Sequence, residues 1–188
     1  LNQRIFQIDG IENIFIYPNM GDGGTAAGSA LYYTSKVNEK IKPYKLQDVY
    51  FGPFFSDEEI KDALEREGFR YRYSGAIEKD IAGLLSQGKV VARFTGAMEY
   101  GPRALGNRSI LYHAEDPSVN KWLNKRLGRT EFMPFAPATL YEFREKCYKG
   151  IKGAEYAAAF MTITFDCTDY MKEVSPAAVH IDGTARPQ

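Results

Sequence analysis

Ser56-Asp57-Glu58-Glu59 is the strongest local instruction in the chain. The serine hydroxyl can accept from the amide three residues on, and Glu59 can reach back to the serine amide, so two orphan helix donors are satisfied together. The spacing predicts a helix from this point to about Glu67, stopped by Gly68. Runs of a different period surround it. Val90-Val91-Ala92-Arg93-Phe94 is the best strand signal, and Ser109–Tyr112 is strand-like. Phe69–Tyr73 alternates apolar and basic residues, and Phe160–Phe165 alternates in the same way. Ile14-Phe15-Ile16-Tyr17 reads as a short buried strand bounded by Pro18-Asn19. Further helices are predicted from Thr25 to about Lys36, along Ile77, Ile81, Leu84 and Leu85 up to Gly88, and from Asp116-Pro117 through about Arg126. Helices and strands intermix, so the fold class is α/β, or mixed α+β.

Size and charge set outer bounds. A chain of 188 residues suits one domain, or one domain with part of another. It can hide roughly 70% of its unfolded surface without staples. Lys+Arg and Asp+Glu are both 24, so the formal net charge is zero. That sum excludes bulk electrostatic attraction as the main mode of binding, though it can hide local anion sites. Cys147 and Cys167 have neither CxxC nor zinc spacing, and two reduced cytosolic thiols are expected. No apolar run approaches the roughly 20 residues of a membrane span, and no signal peptide is visible. A cytoplasmic protein with no membrane partner is expected.

Two glycine-rich segments and two basic ones could carry chemistry. Gly21-Asp22-Gly23-Gly24-Thr25 lies between a predicted strand and helix, where glycines permit close approach and a helix N-terminus offers N–H groups to an anion. Gly21, Gly23 and Ala26 fit a dinucleotide pattern formally. Residues 37–48 supply no convincing second strand, however, and Asp22 would repel a bare pyrophosphate. Asp22 suits a metal or hydroxyls better; an ordinary strand–turn–helix corner is the structural alternative. Residues 95–107 form a glycine-rich loop after the best strand, with Arg103 and Arg108 five apart around Gly106-Asn107 and followed by Ser109. Arginine forks grip phosphate and carboxylate oxygens, and ligands collect at strand carboxyl ends in α/β sheets. The structural alternative is a solvated loop in which Glu99 pairs an arginine. Lys121, Lys125, Arg126 and Arg129 precede Glu131-Phe132-Met133-Pro134-Phe135-Ala136-Pro137. Lys121 and Lys125 share a helix face, which is usually a solvated one. The chain closes on His180, Asp182, Thr184 and Arg186, polar groups of the kind that build sites.

Gly101-Pro102-Arg103-Ala104-Leu105-Gly106-Asn107-Arg108-Ser109-Ile110, Pro134-Phe135-Ala136-Pro137, His180-Ile181-Asp182-Gly183-Thr184-Ala185-Arg186 and Gly21-Asp22-Gly23-Gly24-Thr25-Ala26 together resemble the NodU/CmcH-type O-carbamoyltransferases. The four blocks stand in the family's order. The resemblance implies an actin/sugar-kinase-like (TsaD-like) domain followed by a YrdC-like domain, a twisted open sheet with flanking helices. Residues 1–36 would be the last strand–turn–helix of the first domain, residues 37–55 a linker, and residues 56–188 most of the second, truncated at its C-terminus. The chain would then be a C-terminal piece, inactive alone.

The family is expected to convert carbamoyl phosphate and ATP, with Mg2+, into carbamoyl-adenylate plus pyrophosphate. The carbamoyl group then passes to a hydroxyl of a sugar, antibiotic or nodulation-factor acceptor. Carbamoyl phosphate and ATP crowd negative oxygens into one pocket, so Arg103, Arg108, Arg129 and Arg186 are expected to act in catalysis. Asn107, Ser109, His180, Asp182 and Thr184 are expected to bind carbamoyl phosphate and ATP, with Lys125, close to the family's lysine position, beside them. The resemblance also implies a nucleotide-binding turn at Gly21, Gly23 and Gly24, and places Asp22 as one ligand of an iron-type metal whose histidine ligands lie upstream. Leu127 stands where the family commonly has lysine, and Met133 where it has arginine. Two other readings compete. YrdC-like folds are associated with RNA binding, which the zero charge disfavours. A dinucleotide-dependent oxidoreductase rests on the glycine pattern at 21–26 alone.

Overall fold

The structure, a computed structural model, describes residues 1–38, 41, 42, 44–129 and 134–188. Pro43 and Glu131-Phe132-Met133 lie outside the described residues. In chain order the elements are α1 (Asn2–Phe6), α2 (Asp22–Val37), α3 (Asp57–Arg66), α4 (Ile77–Ser86), β1 (Val91–Phe94), β2 (Arg108–Leu111), α5 (Val119–Arg126), α6 (Arg144–Cys147), α7 (Glu155–Ala159), β3 (Phe165–Asp166), α8 (Asp169–Val174) and β4 (Thr184–Ala185). β1 pairs antiparallel with β2, setting Arg93 opposite Ser109 and Phe94 opposite Arg108. β3 pairs antiparallel with β4, setting Phe165 opposite Ala185. The class is mixed α/β with small sheets.

Local chemistry explains most starts and stops. Both arms of the capping box form at α3: Ser56 Oγ accepts from the Glu59 amide at 3.2 Å, and Glu59 accepts from the Ser56 amide at 2.8 Å. α2 begins at Asp22, ahead of the expected Thr25, because an acidic residue in the first turn complements the helix dipole. α5 begins at Val119 rather than Pro117. Asp116 accepts from the Ser118 amide and hydroxyl, both at 2.9 Å, and this local turn competes with an immediate helix start.

Three expected strands do not form. Residues 14–17 are irregular, tied by one backbone bond from Ile14 to the Gly153 carbonyl at 3.4 Å. Ile14 and Ile16 are apolar because they pack on a core, not because they sit in a ladder. Residues 69–73 are irregular too: Tyr71 donates to Glu65 at 2.6 Å and Arg72 pairs with Asp80 at 3.0 Å, so their side chains answer to nearby helices. Of Phe160–Phe165, only Phe165 enters a strand. Met161 turns to φ 54°, and the Thr162 amide and hydroxyl both donate to the Ala157 carbonyl, at 3.1 and 2.7 Å, closing α7.

Two compact units make up the chain: Leu1–Glu39 with Ala114–Gln188, and Lys40–His113. This grouping by packing differs from the 1–36, 37–55 and 56–188 division expected from the family resemblance. In the first unit, Tyr148, Ile163, Phe165, Cys167, Met171 and Ala185 form a buried cluster against which Phe6, Ile14 and Ile16 pack. The amide of Asn2 donates to the Thr162 carbonyl at 2.7 Å, and Thr164 donates to Gln3 at 2.8 Å, fastening α1 beside β3. Cys147 and Cys167 are free and buried. Burial raises both thiols, Cys167 to about 11. Gln188 exchanges backbone bonds with the Pro137–Thr139 segment, both at 2.9 Å.

In the Lys40–His113 unit, residues 49–53 run beside residues 98–100. Gly52 donates to Met98 at 2.9 Å, Met98 to Pro53 at 3.0 Å, and Tyr100 to Val49 at 2.6 Å. Val49 is fully buried. Part of the expected linker is therefore built into the packing around the glycine-rich loop. No helix of the described residues is long and apolar enough to cross a membrane.

Candidate functional site

The loop between β1 and β2 is organised by one carboxylate. Glu99 is only 6% exposed. Its Oε1 accepts from the amides of Leu105 and Asn107, each at 2.8 Å, and of Arg108 at 3.2 Å. Burial alone would raise its pKa. The amides of Glu99 itself, Leu105, Arg108 and Asn107 outweigh that, so the carboxyl is held below its ordinary 4.5. Gly106, at φ +114° between two of these amides, makes the turn that aims them at one oxygen. Tyr50 donates to the Leu105 carbonyl at 3.0 Å, bracing the loop from the other side.

Arg108 works as a second peg. Its Nη1 donates to the carbonyls of Thr95 at 2.6 Å and Asn107 at 3.0 Å, and its Nη2 to those of Gly96 at 3.1 Å and Pro53 at 3.2 Å. Its guanidinium lies 3.7 Å from the centroid of the Phe94 ring. Four of its five N–H groups are thereby occupied by backbone. Asn107 donates to the Ala97 carbonyl at 2.8 Å, and Ser109 accepts from the Gly106 amide at 2.9 Å. Arg108, expected to act in catalysis, and Asn107 and Ser109, expected to bind substrate, all hold the loop.

Arg103 is the exception. Its Nε is buried and, among the described residues, has no hydrogen-bond partner. The structural alternative of an ion pair with Glu99 is not what the loop shows: Glu99 serves backbone amides. An open cavity of about 420 Å³ lies between α4 and the length of β1, lined by Ile77, Asp80, Leu84, Val91, Arg93 and Thr95 among others, and Arg103 is not in its lining.

The remaining basic and polar candidates belong to the other unit. Lys125 is exposed on α5, opposite the face that buries Val119 and Leu123. Arg129 follows α5, with its guanidinium 5.0 Å from the centroid of Phe135. Asp182 Oδ1 accepts from the Thr184 amide at 3.0 Å and hydroxyl at 2.7 Å, which lowers its carboxyl. The Thr184 hydroxyl also meets His180 Nδ1 at 3.1 Å. Since that hydroxyl gives its proton to Asp182, it accepts from His180; the imidazole proton sits on Nδ1 and Nε2 is an acceptor. Burial lowers the His180 pKa, with Arg186 acting in the same direction and Asp182 opposing. Arg186 directly follows β4.

The Gly21–Gly24 turn is explained by close packing. A side chain at Gly24 would collide with the Asn19 carbonyl, and one at Gly23 would come within 2.9 Å of the Asn19 side chain. Asp22 is exposed at the start of α2. No group of three His, Cys, Asp or Glu side chains able to hold a metal comes together among the described residues.

Sequence reasoning named Glu99 only as an arginine partner and missed its part in shaping the loop. It also missed the brace from Val49 to Pro53. The available signal was a lone acid inside a loop whose neighbours are glycine, proline and small residues.

A family profile described as "Carbamoyltransferase C-terminus" matches residues 82–188, more than half of the chain. The chain belongs to this carbamoyltransferase family, and residues 82–188 are its C-terminal region. Among its relatives are uncharacterized protein MJ1058 of Methanocaldococcus jannaschii, 37% identical over all of this chain, and nodulation protein NolO of Bradyrhizobium diazoefficiens, 31% identical over all of it. Nodulation protein U of Azorhizobium caulinodans is 30% identical over 94% of the chain. The matches cover 31%, 35% and 29% of those relatives' own lengths, so the chain spans about a third of each.

Proposed function

We propose that the chain is the C-terminal part of an enzyme that makes carbamoyl-adenylate and transfers its carbamoyl group to a hydroxyl of a small-molecule acceptor. Residues 56–188 descend from a YrdC-like domain, and residues 1–36 from the end of an actin/sugar-kinase-like one. The observation that carries this reading is the 99–108 loop, whose carboxylate and second arginine are occupied by backbone while Arg103 is left available to an anion.

Atom balance requires a water. Water cleaves the carbamoyl–phosphate bond and releases phosphate. The resulting carbamate oxygen attacks the α-phosphorus of ATP, expelling pyrophosphate. The acceptor hydroxyl then attacks the carbamoyl carbon, releasing AMP and giving up its proton. Both early steps crowd negative oxygens together, so catalysis is mostly positioning and charge stabilisation. Arg103 in one unit, and Arg129, Arg186 and Lys125 in the other, are the cations assigned to those oxygens, with Mg2+ accompanying ATP. Arg108, Asn107 and Ser109 fix the backbone that presents Arg103. Thr184 and Asp182 fix the His180 ring, whose Nε2 can accept a proton or hydrogen bond.

Acceptor-free incubation of the full-length enzyme with labelled carbamoyl phosphate and ATP tests the proposal. Label is expected in a carbamoyl-adenylate fraction, with stoichiometric phosphate and pyrophosphate. Label that stays in carbamoyl phosphate, or carbamoyl phosphate consumed with no pyrophosphate released, contradicts it. The 188-residue chain alone is expected to give no transfer.

A further inference from the structure

We propose that Glu99 is a positioning residue for the reaction, acting through Arg103; this rests on the anion-binding role just given to Arg103. The bond from the Leu105 amide to Glu99 Oε1 closes residues 99–105 into a ring, and Arg103 sits inside that ring. The bonds from Asn107 and Arg108 to the same oxygen fix the ring's exit. Arg108 and Asn107 then hold the opposite limb, residues 95–97, through three carbonyls. The consequence is electrostatic as well as geometric. A buried carboxylate near a loop arginine would ordinarily pair with it and cancel its charge. Here three amide dipoles take the carboxylate, so the loop gains a fixed shape without surrendering the cation. Glu99 touches no substrate in this scheme.

The test is a double-mutant cycle in the full-length enzyme, using carbamoyl-phosphate-dependent ATP–pyrophosphate exchange. Glu99→Gln keeps the shape and one acceptor oxygen but removes the charge. It is expected to lower kcat/KM for carbamoyl phosphate about 10–100-fold, the usual cost of losing a supporting partner. The thermal melt should stay cooperative. In an Arg103→Ala background the same substitution should change the exchange less than twofold, because the residue it acts through is gone. An equal loss in both backgrounds would overturn the proposal, since a general structural defect is not relieved by removing Arg103. Amide resonances of Leu105, Asn107 and Arg108 give a second readout that needs no activity. They should shift together in Glu99→Gln, and unchanged resonances would also overturn it. If the unaltered enzyme shows no exchange while the amides do shift, the carbamoyl-adenylate reading fails and the loop geometry stands.

Discussion

The 99–108 loop and the 180–184 turn use the same device at different depths. In each, a carboxylate takes at least one backbone amide of a glycine-containing turn, and an arginine of interest lies nearby in sequence. Glu99 is almost fully buried and gathers three amides on one oxygen. Asp182 is exposed and gathers one amide and one hydroxyl, both from Thr184. The deep version defines a whole loop; the shallow one defines a two-residue turn and the tautomer of His180. Depth also separates their response to acid, because burial raises the cost of leaving an amide unmatched.

Breaking the deep anchor should have the largest effect. Glu99→Ala leaves three amides without their acceptor and is expected to cost about 3 kcal/mol or more, read from urea unfolding. A loss under 1 kcal/mol would mean that water replaces the carboxylate freely. Thr184→Val removes the hydroxyl shared by Asp182 and His180 and should cost about 1–2 kcal/mol, releasing the Nδ1 tautomer as seen in the imidazole nitrogen shifts. Asp182→Asn, at an exposed position, should cost about 0.5–1 kcal/mol; a cost equal to that of Glu99→Ala would erase the contrast.

Acid should separate the two regions in order. His180 has its pKa lowered in the folded chain, so the unfolded chain binds more protons as pH falls below the ordinary 6.5, and stability declines from there. Glu99 is also lowered, from 4.5. Its contribution is complete above that value and is lost as pH falls through the folded pKa. Amide exchange should therefore accelerate at Thr184 before it does at Leu105 and Asn107 on acidification. The reverse order would contradict the assignment. As the smallest effect, iodoacetamide should leave Cys147 and Cys167 unmodified at neutral pH while the fold holds, since both thiols are buried and raised.

Much of this was legible in the amino-acid sequence. The capping box, the β1 strand and the glycine-rich loop carry their instructions in neighbouring residues, and α3, β1 and residues 95–107 follow them. Residues 14–17 and 160–164 misled because apolar side chains are shared by strands and by irregular segments packed on a core, and residues 69–73 misled because their alternating side chains, largely exposed, engage neighbouring helices instead of a strand. Telling those apart needs the pairing partner, which adjacent sequence does not contain. The candidate residues were readable as types, but their division of labour was not. Arg103 and Arg108 look alike five positions apart, and only the carbonyls gathered around Arg108 distinguish the peg from the available cation.

That distinction is most directly measured by comparing Arg103→Ala with the unaltered full-length enzyme in carbamoyl-phosphate-dependent ATP–pyrophosphate exchange. A fall of about 100-fold or more in kcat/KM with a native-like melt is the predicted result, in line with removal of a preorganised charge stabiliser. Exchange at the unaltered rate without the Arg103 guanidinium would contradict the account.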